Sequence, residues 1–203
     1  GMDGIRQDTW PYVPRSFWKP WMAAIKKEFP ALRVVGEVYD GDAAIVAFHQ
    51  GGVTQWDGID AGVDALFDFP LFYPIRGAFA EGRSIRGLSE TLARDRLYKD
   101  PQSLVTFLGL HDVNRFMGER NASLAGLKLA YTFLLTARGT PLLYYGDEIA
   151  LAGGGDPENR RDFPGGFAGD ARNAFEASGR TSDQQAVRAH VQPLLKLRAE
   201  RAD

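Results

Sequence analysis

The sequence contains no cysteine, which excludes disulfides, a thiolate metal site and a cysteine nucleophile and leaves the compartment undetermined. It has no apolar run near the ~18 residues of a membrane span, so no membrane partner is expected. It has little excess charge. A formal net charge of −2 gives no electrostatic case for nucleic acid or an acidic membrane surface. No signal peptide is visible, and localisation is left open. The chain begins Gly1-Met2-Asp3-Gly4 and runs straight into what reads as the middle of a domain, so a piece of a longer protein is expected.

What is present is an ordinary soluble composition, 44% hydrophobic and 25% charged over 203 residues. That length predicts a single unit over residues 1–203. Aromatics make up 12% and there are 23 glycines, which suits a loop-rich enzyme with stacking surfaces. Arg33–Tyr39 is a short apolar run that presents one carboxylate, Glu37, between small and aromatic neighbours. Desolvation at the end of a buried strand disfavours the charged form, as a general acid near neutral pH requires. A glutamate there can equally cap a helix or pair with an arginine.

The pattern repeats. Strands are predicted over 1–8, 33–38, 63–69, 103–110 and 141–145. Helices are predicted around 17–29, 71–80 and 84–97, from an Asn121 cap towards Gly139, and over 182–200. Residues 40–62 read as a looser, Gly-rich segment. Strand ends recur about every 30 to 45 residues, the size of single βα units, and no Gly-x-Gly-x-x-Gly loop follows any of them. Such alternation predicts a parallel sheet covered by helices, read as part of a (β/α)₈ barrel; a full barrel takes roughly 250 residues.

In such barrels the carboxyl ends of strands face the active site. Those positions hold Asp8, Glu37, Asp68 and Asp112, with His111 beside the last. Like charges converging on one mouth repel unless something uses them. A pair of carboxylates can cleave a glycosidic bond, one as acid and one as nucleophile. Alternatively, Asp8, Glu37 and Asp68 are hard oxygen ligands for a divalent metal. The metal reading needs a lysine or histidine base at another strand end; no lysine lies at one and His111 is the sole candidate, so it is the weaker. Trp10, Tyr12, Tyr39, Tyr144 and Tyr145 favour a sugar, whose C–H faces suit flat rings; for Tyr144 and Tyr145 core packing explains the rings equally well.

Several stretches together resemble the α-amylase family of retaining glycoside hydrolases (family 13). Asp3-Gly4-Ile5-Arg6-Gln7-Asp8 is similar to its nucleophile motif and Gly36-Glu37-Val38-Tyr39 to its acid/base motif. Phe107-Leu108-Gly109-Leu110-His111-Asp112 is similar to the Phe-Leu-x-Asn-His-Asp motif, and residues 139–148 to the hallmark of the eighth strand. Asp156-Pro157-Glu158-Asn159-Arg160 resembles a sugar-contacting loop. Residues 161–167 with Asn173-Ala174-Phe175 resemble the neopullulanase and cyclomaltodextrinase group.

The resemblance implies barrel strands four to eight, Asp8 as nucleophile, Glu37 as acid/base and Asp112 as the third carboxylate. Arg6, Trp10, Tyr39, His111, Asp156 and Arg160 are then the substrate-binding residues. The substrate is an oligo- or polysaccharide: starch-type α-glucan, pullulan or cyclodextrin. No cofactor is required, no residue here is assigned to a metal, and a structural calcium is compatible with a full-length parent. A transglycosylase, a truncated barrel or a non-catalytic sugar-binding relic are the rival readings, and an isolated part-barrel is expected to self-associate. Two departures stand out. Leu110 replaces the usual asparagine, removing an amide beside His111-Asp112. The histidine usual after the nucleophile gives way to the Trp10–Tyr12 stretch, which puts the calcium-associated contact in doubt.

Overall fold

The computed structural model describes residues 2–201. Five short strands alternate with helices: β1 (Gly4–Gln7), β2 (Arg33–Gly36), β3 (Ala65–Leu66), β4 (Val105–Phe107) and β5 (Thr140–Leu142). The helices are α1 (Arg15–Glu28), α2 (Ala43–Phe48), α3 (Phe69–Phe79), α4 (Arg86–Leu92), α5 (Leu124–Thr136) and α6 (Ser182–Glu200). β1, β2 and β3 form one parallel sheet in chain order. A parallel bridge joins Phe67 to Val105, and β4 pairs with β5. Strand order thus follows chain order, as in a (β/α) barrel and unlike a doubly wound sheet.

The single unit expected for the chain divides into two compact units. The first runs up to Pro74 and takes in Arg86–Thr106 and Arg138–Thr140. The second holds Ile75–Ile85, Phe107–Ala137 and the chain from Pro141 onward. Each has its own apolar centre, which is why packing separates them although the chain passes between them several times.

In the first unit, strand alternation sorts the side chains. Val34 and Leu66 are buried and pack with Trp18 and Met22 of α1 and Ala43 and Val46 of α2. Ile5, Val35, Ala65 and Val105 point the other way, are half-buried, and line a cavity of about 460 Å³. In the second unit α5 and α6 pack through Leu127, Tyr131, Leu134, Val187 and Val191. Gly126 is where α5 comes closest to its neighbour: a Cβ there would sit 2.1 Å from the Phe79 carbonyl oxygen.

Several elements differ from expectation for local reasons. The predicted strand 63–69 shrinks to two residues because the Asp68 carboxylate accepts the Leu71 N–H at 3.1 Å and starts α3. The looser segment 40–62 contains α2, which begins where Asp42 accepts the Ala44 N–H. Ser123, rather than Asn121, caps α5 by accepting the Gly126 N–H at 3.0 Å. The helix expected over 84–97 breaks after Leu92, since the 3₁₀ turn Asp95–Leu97 is held by Arg138, which donates to Asp95 at 2.6 and 2.7 Å. Expectation and structure agree on α6, closed at its start by a Thr181–Gln184 capping box.

Candidate active site

The first unit places Asp8 one residue beyond β1 and Glu37 one beyond β2, on adjacent parallel strands whose register sets Gln7 beside Gly36. Arg6 lies between the two carboxylates. It donates from Nη1 to Asp8 Oδ2 at 3.1 Å and from Nη2 to Glu37 Oε2 at 2.5 Å. Arg6, expected to serve the nucleophile, therefore serves both. Asp8 is open to solvent, whereas Glu37 is 4% exposed. Glu37 Oε1 is buried with no hydrogen-bond partner. One oxygen of this carboxylate is thus fixed and the other is uncommitted, the arrangement proton transfer to a docked substrate needs. Tyr39 is exposed, with its ring 4.2 Å from that of Phe69.

Two expectations need correcting. Trp10, expected to touch substrate, is fully buried. Its ring stacks on Trp18 at 4.2 Å, its backbone N–H donates to the Glu37 carbonyl at 3.1 Å, and its backbone carbonyl accepts the Trp18 indole N–H. It braces the backbone at Glu37 from below. Its burial follows from packing: the 3₁₀ turn Trp10–Tyr12 tucks the indole under β2. Asp68, expected to face the mouth, is 1% exposed and is tied to Arg138 and the start of α3. Burial pushes its carboxyl up and the arginine pulls it down.

The second unit gathers His111, Asp112, Asp156 and Arg160 into one cluster. His111 Nε2 lies 3.0 Å from Asp112 Oδ2, and Arg160 reaches Asp112 Oδ1 and Asp156 Oδ1 at 3.1 Å each. Asp112 comes five residues after β4 ends, in a turn instead of at a strand end. What holds that turn is a residue without an assigned role in the motif, Asn159. Its buried amide donates to the carbonyls of His111 (2.8 Å) and Val113 (2.9 Å), and Arg160 Nε donates to His111 O at 3.0 Å. Leu110, in the usual asparagine's place, is buried, so Asn159 supplies the backbone support at the His-Asp pair.

In the same unit Asp147, inside the marked stretch 139–148, is bonded at 2.9 Å to Arg115, which the sequence left unmarked, and both are buried. The Arg115 guanidinium also covers the rings of Tyr144 and Tyr145 at 4.5 and 4.6 Å. Burial pushes the Asp147 carboxyl up to about 7 against the pull of Arg115. Among the described residues no three His, Asp or Glu side chains converge to hold a metal ion.

Residues 7–198 match the family described as alpha amylase, catalytic domain. The chain belongs to this family. Among curated proteins, this α-amylase-family chain is 33% identical over 168 residues to a cyclomaltodextrin glucanotransferase of Niallia circulans, covering 81% of the chain and 22% of that protein. It is 33% identical over 165 residues to neopullulanase 2 of Thermoactinomyces vulgaris, covering 79% of the chain and 26% of that protein. Among solved structures it is similar to an α-amylase of Geobacillus thermoleovorans complexed with acarbose. There the identity is 32% and the TM-score 0.77, over 98% of this chain and 40% of that one. The chain thus spans about a quarter of the length of these curated relatives, and the shared fold is that of the amylase barrel.

Proposed function

We propose that the protein containing this α-amylase-family chain is a retaining glycoside hydrolase. It acts on α-glucosidic bonds of starch-type glucans, pullulan or cyclodextrins, and the chain supplies barrel strands four to eight. The observation that carries this reading is the Arg6-bridged carboxylate pair, with Glu37 Oε1 buried and unpartnered. Glu37 gives its proton to the glycosidic oxygen as the C1–O bond breaks, and the Asp8 carboxylate forms an ester to C1. Water then attacks C1 and cleaves that ester while Glu37 takes the water's proton, restoring both groups. Arg6 holds both carboxylates in place. In the first unit Tyr39 offers a ring face; in the second, the family motifs assign sugar contacts to Asp112, His111, Asp156 and Arg160. A structural calcium, if part of the whole protein, takes no step in this scheme.

In the whole protein, Asp8→Asn or Glu37→Gln lowers hydrolysis of starch or cyclodextrin by about 10²–10⁴-fold or more while leaving the fold intact. Turnover like the wild type's by either variant overturns the assignment, and a β-anomeric first product overturns retention. The likeness to a glucanotransferase favours a second reading, in which a sugar hydroxyl takes the place of water. Chain-length analysis separates the two: cyclic or lengthened products mark transfer, and shortened ones mark hydrolysis.

A further inference from the structure

In the first unit an exposed aromatic ring is held out by machinery that a plain surface loop does not need. Trp56 is 88% exposed, while Trp10 and Trp18 are buried. Its ring stacks near-parallel on Phe48 (5.4 Å, 23°), and the Arg15 guanidinium covers Phe48 at 4.4 Å. Arg15 is itself buried, and its donors are directed into this loop. Nε donates to Asp57 at 2.8 Å, Nη2 to the Ile59 carbonyl at 2.5 Å, and Nη1 to the Phe48 carbonyl. Asp57 also accepts the Ile59 N–H at 3.0 Å, and the Gln55 N–H donates to the Ile59 carbonyl at 3.1 Å.

The turn is therefore rigid, and the indole presents a flat face at little ordering cost. Beside it runs a groove of about 430 Å³ lined by Ala44, Ile45, Phe48, Gln55 and Leu97. The lining carries no charged side chain. That disfavours an ionic ligand. The Gln55 amide, whose Nε2 donates to the Ala47 carbonyl at 3.3 Å, presents its oxygen, and this oxygen and the indole N–H are polar groups suited to hydroxyls. A neutral, polyhydroxylated ring with an apolar C–H face fits such a surface.

The geometry points to Trp56 and Gln55 as a second α-glucan-holding platform, sharing no residue with the Asp8–Arg6–Glu37 cluster. The choice of glucan rests on the function proposed above. A polymeric substrate bound at two places gains avidity from weak single contacts.

The test titrates the Glu37→Gln variant of the whole protein with maltoheptaose and follows tryptophan emission and acrylamide quenching, with adsorption to starch granules as a second readout. The expected result is a shift to shorter wavelength and protection from quenching. Trp56→Ala, a substitution of an exposed ring that spares the fold, abolishes the shift and weakens granule adsorption about threefold to tenfold, the effect of one stacking contact. Trp56→Phe retains most of the adsorption. An unshifted emission at millimolar maltoheptaose, or equal adsorption by Trp56→Ala, overturns the platform. Hydrolysis by the whole protein, and its loss in Glu37→Gln, is scored separately. A shift without hydrolysis therefore refutes the catalytic reading alone, and hydrolysis without a shift refutes the platform alone.

Discussion

At the scale of single residues, the carboxylate pair depends on what lies under it. Gly36 precedes Glu37, and a Cβ there would sit 3.0 Å from the Trp10 ring and 3.1 Å from Leu66. The Trp10 backbone N–H holds the Glu37 carbonyl, so the same residue touches the strand on both sides of the peptide that Gly36 and Glu37 share. Gly36→Ala therefore forces the indole or the strand to move, at about 1–3 kcal/mol of overpacking. Because the strand carries Glu37, activity falls as well. Denaturant unfolding and kcat on a maltooligosaccharide should both register the change. Unaltered stability would show that the indole yields freely. The same contact explains why the aromatic reading of Trp10 missed: sequence shows a ring near a site, and only packing shows which way it faces.

At the scale of elements, the two carboxylates of the first unit sit at strand ends, whereas Asp112 rides on a turn that β4 does not reach. Its placement depends on the 3₁₀ turn Glu158–Arg160, which brings Asn159 under one side and Arg160 over the other. Asn159→Ala leaves the Val113 carbonyl without its donor and the His111 carbonyl with Arg160 alone, a cost of about 1–3 kcal/mol. It also frees the His111–Asp112 turn, so kcat on α-glucan falls while Asp8 and Glu37 are untouched. Normal kcat in a destabilised Asn159→Ala protein would reduce the residue to a purely structural role. Short elements such as α2 and the cap at Ser123 escaped prediction because one side-chain hydrogen bond decides where so short a helix starts, and periodicity carries no trace of it.

At the scale of the whole molecule, two buried groups give stability opposite slopes against pH. His49 in the first unit has its pKa lowered to about 4 by burial and by Arg15. The unfolded chain takes up its proton first, so this group costs stability as pH falls from about 6.5 towards 4. Asp147 in the second unit has its pKa raised to about 7 by burial. The folded chain keeps that proton longer, so this group costs stability as pH rises from about 4 to 7, by up to about 1.4 kcal/mol per pH unit. Asp147→Asn leaves the His49 slope, with stability rising towards neutral pH. His49→Gln leaves the Asp147 slope, with stability falling. Urea midpoints across pH 4.5 to 7 measure both, and identical slopes in the two variants would contradict the assignment.

The sequence by itself determined the βα alternation and the amylase family, and it singled out the carboxylates, histidine and arginines proposed for the site. Each of these is written in local spacing and in short motifs of fixed chemistry. Only the tertiary structure decided which member of each motif faces a site and which faces the core. Arg6 turned out to serve two carboxylates, Trp10 and Asp68 went inward, and Asn159 and the Arg115–Asp147 pair emerged as supports. Those outcomes depend on contacts between residues far apart in the chain: Asn159 with His111, Arg138 with Asp68, Arg115 with Asp147. No local pattern encodes such contacts, because burial and pairing are settled by what the folded neighbours leave room for.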